Sequence, residues 1–149
     1  MNLVVVDTNV FINSIFGKGY FKNDEAILEL EETGKLQFAF SSITFNELCK
    51  LIVNKIYEHE EFECSDILMY VVDLRRRSQF IESPTKIRPS LSSDKGDQHF
   101  IELAAHLKVS CLITNDHQNG LLKLGSYNGT SIVTSKQFMK SYNKQQKKA

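Results

Sequence analysis

Short apolar runs alternate along this chain with longer segments whose apolar residues recur at helical spacing. The short runs are typical of strands, and the longer segments are typical of amphipathic helices. The predicted strands are residues 2–6, 36–40, 79–82, 109–114 and 130–134. The predicted helices are residues 23–34, 42–57, 62–78, 94–108, 118–124 and 135–142.

Strands separated by helices need crossover connections, which are right-handed and cover both faces of a parallel sheet. We therefore expect a three-layer α/β/α fold with a central, mostly parallel sheet of about four to five strands. Residues 82–97 hold both prolines and several serines. They predict one long loop rather than a domain boundary, because each flank is too small to fold well alone.

Size and composition fit one domain, which we place at residues 1–140 of the 149. The formal net charge is zero, so no global field attracts nucleic acid or membrane. From Lys136 onward there are five lysines and no acid, and we expect residues 141–149 to form a flexible basic tail, with RNA contact as the alternative. Three scattered cysteines, no membrane-length apolar run and no cationic leader favour a cytoplasmic protein.

Four carboxylates stand at the exit of a predicted strand or in the opening turns of the next helix: Asp7, Glu47, Asp97 and Asp116. Such positions can converge on the ligand-binding edge of a parallel sheet. Each also has a local explanation as a helix cap or a first-turn acid, and residues 44–47 match a T-x-x-E capping box. Two carboxylates ~5 Å apart repel by about 3 kcal/mol at an effective dielectric of ~20. Converging acids would therefore hold protons or bind a hard cation such as Mg²⁺ or Mn²⁺.

Four longer stretches carry these acids or close the chain: VVVDTNVFINSIF at 4–16, SSITFNEL at 41–48, SDKGDQHFIELAAHLKVSCLITND at 93–116 and TSIVTSKQFM at 130–139. In order and spacing they resemble PIN domains, in particular the VapC-like toxins of prokaryotic toxin–antitoxin systems. The first resembles that family's opening strand and D-T-N motif. The second resembles its Ser-rich entry to a helix with a Glu, and the third its D-x-x-F-x-x-x-A helix and strand ending in T-x-D.

The resemblance implies a metal-dependent endoribonuclease that hydrolyses phosphodiester bonds of RNA with one or two Mg²⁺ or Mn²⁺ ions. It also implies an antitoxin protein as partner and a homodimer. Asp7, Glu47, Asp97 and Asp116 would be the catalytic acids, and all but Glu47 would hold metal.

Supporting roles follow from the same resemblance. Asn9 and the hydroxyl of Thr8 or Thr114 would orient carboxylates or waters, whereas Asp94 would either bind metal or cap its helix. Many relatives have another acid just after the position of Asp116, where this chain has His, Gln and Asn at 117–119. Occupancy of a second metal site therefore stays open.

Other interpretations remain open at this point. The chain could be a PIN-type RNA-processing nuclease without an antitoxin, or a non-catalytic PIN-like module that binds RNA or protein. A receiver-like phospho-acceptor domain is disfavoured because it needs paired acids after the first strand, where Asp7 stands alone. His99, His106 and His117 could act as acids or bases, although ordinary surface roles are favoured. The LRRR run at 74–77 could bind phosphate or simply end its helix, and helix 62–78 could offer an apolar groove to an antitoxin.

Overall fold

The computed structural model describes residues 2–59, 61–118 and 120–148, and over these it has six strands and seven helices. The strands are β1 (Asn2–Val6), β2 (Leu36–Ser41), β3 (Gln79–Ile81), β4 (Cys111–Ile113), β5 (Ser126–Tyr127) and β6 (Thr130–Val133). The helices are α1 (Thr8–Phe16), α2 (Lys22–Glu32), α3 (Ser42–Glu58), α4 (Cys64–Arg77), α5 (Lys95–Leu107), α6 (Leu121–Leu124) and α7 (Ser135–Lys148).

The strands form one sheet in the order β3-β2-β1-β4-β6-β5. All neighbouring pairs are parallel except β5 and β6, which form an antiparallel edge. The predicted mostly parallel α/β architecture is confirmed, and all five predicted strands are present. The two-residue strand β5 was not predicted, because a run that short carries no periodicity.

The hydrophobic core covers both faces of the sheet, as the near-continuous apolar sequence of β1 requires. Val4 and Val6 pack on one face with residues of α1, α2, α3, α4 and α7. Val5 points the other way and packs with residues of α5 and α6. The helices therefore form two outer layers, and the carboxyl ends of β1, β2 and β4 are left at one edge of the sheet.

The main error in the predicted helix bounds is at the C-terminus. The closing helix was predicted for residues 135–142, but α7 continues to Lys148, so most of the predicted tail is helical. The Phe138 and Tyr142 rings stack at 6.2 Å and pack against the core, and the following Gln and Lys residues favour a helix without burial. The division into a domain and a separate tail stays a prediction. No helix over the described residues is long and apolar enough to cross a bilayer.

Candidate active site

Asp7 lies where β1 passes directly into α1. It is the N-cap of α1, and its Oδ1 accepts a 3.4 Å hydrogen bond from the backbone N–H of Asn9. Its Oδ2 accepts a 2.7 Å bond from the Thr114 hydroxyl, just after β4. Asp7 is 7% exposed. The capping explanation thus accounts for one carboxylate oxygen, while the other joins the ends of two neighbouring strands.

Glu47 reaches the same edge from α3. Its Oε2 accepts a 3.2 Å hydrogen bond from the Thr8 hydroxyl at the start of α1. The capping box predicted from residues 44–47 is wrong, because Ser41 is the N-cap and forms the box with Thr44. Glu47 therefore lies in the second turn of α3, where no helix end needs its carboxylate.

The start of α5 brings two more acids to this edge. Asp94 is the N-cap, and its Oδ1 accepts bonds from the backbone N–H groups of Gly96 (2.8 Å) and Asp97 (3.2 Å). A Cβ added at Gly96 would lie 3.1 Å from Asp94 Oδ1 and 3.4 Å from Glu47 Oε1. The absent side chain at Gly96 thus leaves room for Glu47 to approach the first turn of α5. Asp94 caps the helix, and a metal role for it stays a prediction.

Asp116 lies in the loop after β4. Its backbone N–H donates a 3.2 Å bond to the Thr114 hydroxyl, and its Oδ1 accepts a 2.8 Å bond from the N–H of Gln118. The Thr114 hydroxyl therefore connects the Asp7 carboxylate to the Asp116 backbone. The explanation of Asp116 as the cap of the next helix is wrong, since α6 has Gly120 as its N-cap.

Charge repulsion is strongest at Asp97. Burial and then the nearby carboxylates raise its pKa from 3.8 to about 7. Those carboxylates, in decreasing order of effect, are Asp7, Asp94, Asp116 and Glu47. Within the described residues no hydrogen bond is made to the Asp97 carboxylate. Four other acids, from four places in the sequence, thus influence one first-turn residue.

The pKa values of Asp7 and Glu47 are also raised, in each case mainly by burial. Hydroxyl bonds oppose these shifts: the Thr114 hydroxyl lowers the pKa of Asp7, and the Thr8 hydroxyl lowers the pKa of Glu47. Repulsion from Asp116 adds to the rise at Asp7, and repulsion from Asp7 adds to the rise at Glu47. The two threonines therefore favour the charged, ligand-ready form of the acids they contact.

The donor set suits a hard divalent cation, although no three His, Cys, Asp or Glu side chains of the described residues already form a metal-binding group. The gathered side chains offer carboxylate oxygens, which Mg²⁺ and Mn²⁺ prefer. The main charge effects on the pKa values of Asp7 and Asp97 come from neighbouring carboxylates, and those on Glu47 come from Asp7 and Asp94, which raise its pKa, and from His99, which lowers it. The negative charge is thus left for a bound cation to offset.

A buried polar network supports the Asp116 loop and was missed by the sequence analysis. Asp24 of α2 is 3% exposed and accepts 3.0 Å bonds from the side-chain amides of Asn13 and Asn115. The Asn115 amide also donates to the Ser135 hydroxyl, and its oxygen accepts from the Ser135 N–H. Asn115 is therefore fixed to α2 and α7 on either side, directly before Asp116. The only local signal was an acid in a first helical turn, which the helix dipole explains equally well.

The other residues that the sequence analysis considered, the LRRR run and the histidines, lie mainly away from the acidic edge of the sheet. Arg77 of the LRRR run makes two 2.8 Å bonds to buried Glu31, and Arg75 lies 3.8 Å from the centre of the Phe80 ring. His106 accepts a bond from the Thr85 N–H. His99 lies near the site, 3.9 Å from Glu102.

An open depression of about 450 Å³ adjoins the Asp116 loop. It is lined by Asn9, Asn13, Asn115, Asp116, His117 and Gln118. The Asn9 side chain, predicted to orient carboxylates or waters, faces this depression, and its role stays a prediction.

The fold and the site define a class of protein. It is a three-layer α/β/α protein with acids gathered at the carboxyl edge of a parallel sheet. The chain matches the family model of the PIN domain over residues 3–118. It therefore belongs to the PIN domain family, whose members are generally nucleases. The resemblance seen in the sequence is confirmed.

A solved structure shows the same fold. It is the crystal structure of VapBC2 from Rickettsia felis bound to a DNA fragment from their promoter, and one of its chains matches with a TM-score of 0.52 and 16% identity. The match covers 89% of this chain and 98% of that one. At this identity the likeness establishes the fold alone. No curated protein sequence matches the chain.

Proposed function

We propose that this protein is a divalent-metal-dependent endoribonuclease and the toxin of a toxin–antitoxin pair. The observation that carries the proposal is the gathering of acids at one sheet edge, where burial and then the charges of Asp7, Asp94, Asp116 and Glu47 raise the pKa of Asp97 to about 7. A domain stable by only ~5–15 kcal/mol has no structural need for such repulsion. Membership of the PIN domain family supports a nuclease.

The proposed metal ligands are Asp7, Asp97 and Asp116, with Glu47 acting directly or by orienting water. Bound Mg²⁺ or Mn²⁺ supplies Lewis-acid chemistry, because it acidifies a coordinated water and offsets charge on phosphoryl oxygens. The chain's own part is to hold the acids charged and in place. The Thr114 and Thr8 hydroxyls orient the carboxylates of Asp7 and Glu47.

An antitoxin partner is supported by two observations. The structural neighbour is a VapBC complex, and α4 exposes Leu68, Met69 and Val72, which are 46%, 61% and 52% exposed. These three side chains lie at helical spacing and leave an apolar stripe on α4 without a partner. We propose that an antitoxin segment covers this stripe. The homodimer and the cytoplasmic location belong to the same proposal.

Cleavage of labelled single-stranded RNA in Mg²⁺ or Mn²⁺ tests the activity. We expect cleavage by the wild type, none with chelator, and a loss of about 100-fold or more for Asp7→Asn and Asp97→Asn. Asp73→Asn on α4 removes a partly exposed carboxylate, paired with Arg76, away from the site and is the matched control. Cleavage that survives chelator, or is equal in Asp7→Asn and Asp73→Asn, would contradict the proposal and favour a non-catalytic binding module.

A further inference from the structure

The segment between β3 and α5 is an ordered strap rather than a free loop. We define the strap as residues 83–93. It runs antiparallel to α5 and is held by three α5 side chains spaced four residues apart, namely Gln98, Glu102 and His106. The Gln98 amide oxygen accepts from the N–H groups of Leu91 and Ser92, Glu102 accepts from Ile87, and His106 accepts from Thr85.

The strap carries exposed positive charge and no negative charge. It contains Lys86 and Arg88 and no acid, in a chain whose residues 1–135 hold 13 basic and 18 acidic side chains. Ile87 and Leu91 pack inward against the core, whereas Lys86 and Arg88 are exposed. Over the described residues neither cation forms an ion pair or a hydrogen bond, so both are available to an anionic partner.

A groove opens where the strap meets the C-terminal half of α5 and the turn between β5 and β6. It has a volume of about 560 Å³. Its lining includes Thr85, Lys86, Arg88, His106, Tyr127 and Asn128. Because His106 accepts at Nδ1 from the Thr85 N–H, its neutral ring carries the proton on Nε2 and can donate there. Cations, donors and a half-buried aromatic ring together are the features with which proteins hold single-stranded nucleic acid.

The distance between the groove and the acidic edge is short enough for one RNA strand to contact both. α5 has Asp97 in its first turn and reaches the groove at His106, nine residues later, which is about 14 Å at 1.5 Å per residue. The strap spans the same interval, from Thr85 beside His106 to Asp94. A chain of phosphates along it would meet cations at one end and the acidic site at the other.

We propose that the strap and this groove bind single-stranded RNA a few nucleotides from the cleaved bond, with Lys86 and Arg88 contacting phosphates and Tyr127 stacking on a base. This inference rests on the proposed function and identifies where a protein without net charge contacts its substrate.

Binding is measured by fluorescence anisotropy of a short labelled RNA in chelator, so that cleavage does not enter. We expect the double variant Lys86→Gln/Arg88→Gln to bind about tenfold more weakly, with the slope of log affinity against log salt reduced by about 1.4, or ~0.7 for each lost phosphate contact. Tyr127→Leu, which keeps an apolar side chain but loses the ring, should weaken binding about fivefold.

The matched control is Lys140→Gln/Lys144→Gln, which removes the same charge from α7 on the opposite face of the sheet. We expect it to bind RNA like the wild type, and circular dichroism melts should show all variants folded. A loss only in the α7 variant would overturn the proposal and assign RNA contact to α7. Equal losses in both double variants would also overturn it, because binding would then follow overall charge and not the groove. Cleavage assays on the same proteins distinguish failure of the groove proposal from failure of the proposed function. If the wild type cleaves RNA and Lys86→Gln/Arg88→Gln cleaves it with the same KM, only the groove proposal is contradicted. If the wild type does not cleave RNA, the proposed function is contradicted.

Discussion

The Thr114 hydroxyl donates a 2.7 Å hydrogen bond to Asp7 Oδ2 and accepts one of 3.2 Å from the backbone N–H of Asp116. One buried hydroxyl thus fixes an acid from the first strand relative to an acid that follows the fourth. The bond also lowers the pKa of Asp7 against the effect of burial. Its removal should therefore favour the protonated form of Asp7 as well as loosen the Asp116 loop.

We expect Thr114→Val to reduce RNA cleavage about tenfold or more and to lower the free energy of unfolding by about 1.5–3 kcal/mol, the range for a hydrogen bond to a charged group. Thr114→Ser keeps the hydroxyl and should retain most of the activity. Cleavage rates and urea unfolding of the pair measure both effects. Equal activity in the Val and Ser variants would show that the hydroxyl does not position the acids.

The pH dependence of stability should reflect the crowded acids. The pKa of Asp97 is raised from 3.8 to about 7 in the folded state, so the fold holds this proton more tightly than the unfolded chain does. Its stabilising contribution is complete below about pH 4 and is lost as pH rises through about 7. The raised pKa values of Asp7 and Glu47 act in the same direction.

For the metal-free protein we therefore expect lower stability at pH 8 than at pH 5. The share of Asp97 should be about 1–2 kcal/mol, because solvent at the open sheet edge screens the repulsion. Asp97→Asn should flatten this dependence, and added Mg²⁺ should raise the melting temperature more at pH 8 than at pH 5. Urea titrations in chelator across this range provide the measurement. A midpoint that rises from pH 5 to pH 8 would show that the acids do not repel in the folded state.

The absent side chain at Gly96 leaves the space into which the carboxylates of Asp94 and Glu47 reach. An Ala side chain there would place its Cβ 3.1 Å from Asp94 Oδ1 and 3.4 Å from Glu47 Oε1. We expect Gly96→Ala to displace one of these acids and to lower cleavage about tenfold. Stability should change little, since the gain of up to about 1 kcal/mol in helix propensity offsets the crowding. Parallel cleavage and thermal melts test this, and an active Gly96→Ala enzyme would mean that neither acid is held tightly.

The sequence predicted the sheet and the acidic edge for identifiable physical reasons. The unbroken apolar run before Asp7 requires a strand buried on both faces, and the carboxyl ends of parallel strands share an edge. The local capping alternative failed at Glu47, where T-x-x-E matches a capping box but Ser41 at the end of β2 already provides the cap. The sequence analysis also missed Asp24, whose partners Asn13 and Asn115 lie 11 and 91 residues away in the chain. Local patterns identify helix ends well, but contacts between distant segments depend on packing that no short pattern records.

The ion pair between Arg77 and Glu31 should govern stability without affecting catalysis. Arg77 donates two 2.8 Å bonds to Glu31, which is 2% exposed, at the ends of α4 and α2 away from the acidic edge. Arg77→Met leaves a buried carboxylate unpaired and should cost about 3–5 kcal/mol, whereas Arg77→Met combined with Glu31→Leu should recover much of that loss. Urea unfolding of both variants measures it. A single variant as stable as the wild type would show that Glu31 is solvated after all.

Asn115 should position the Asp116 loop. Its amide bonds to Asp24 and Ser135 fix the residue directly before Asp116, so Asn115→Ala frees that loop and leaves Asp24 with one amide partner fewer. We expect a loss of about 1–3 kcal/mol in stability and at least a tenfold loss in cleavage, with the Mg²⁺ concentration for half-maximal rate shifted upward.

Asn13→Ala removes the other amide bond to Asp24 but leaves residues 114–116 attached. It should lose similar stability and keep more of the activity and the wild-type Mg²⁺ requirement. If the two variants lose activity and Mg²⁺ response equally, the network serves the fold alone, and Asp116 is held by its bonds to Thr114 and Gln118.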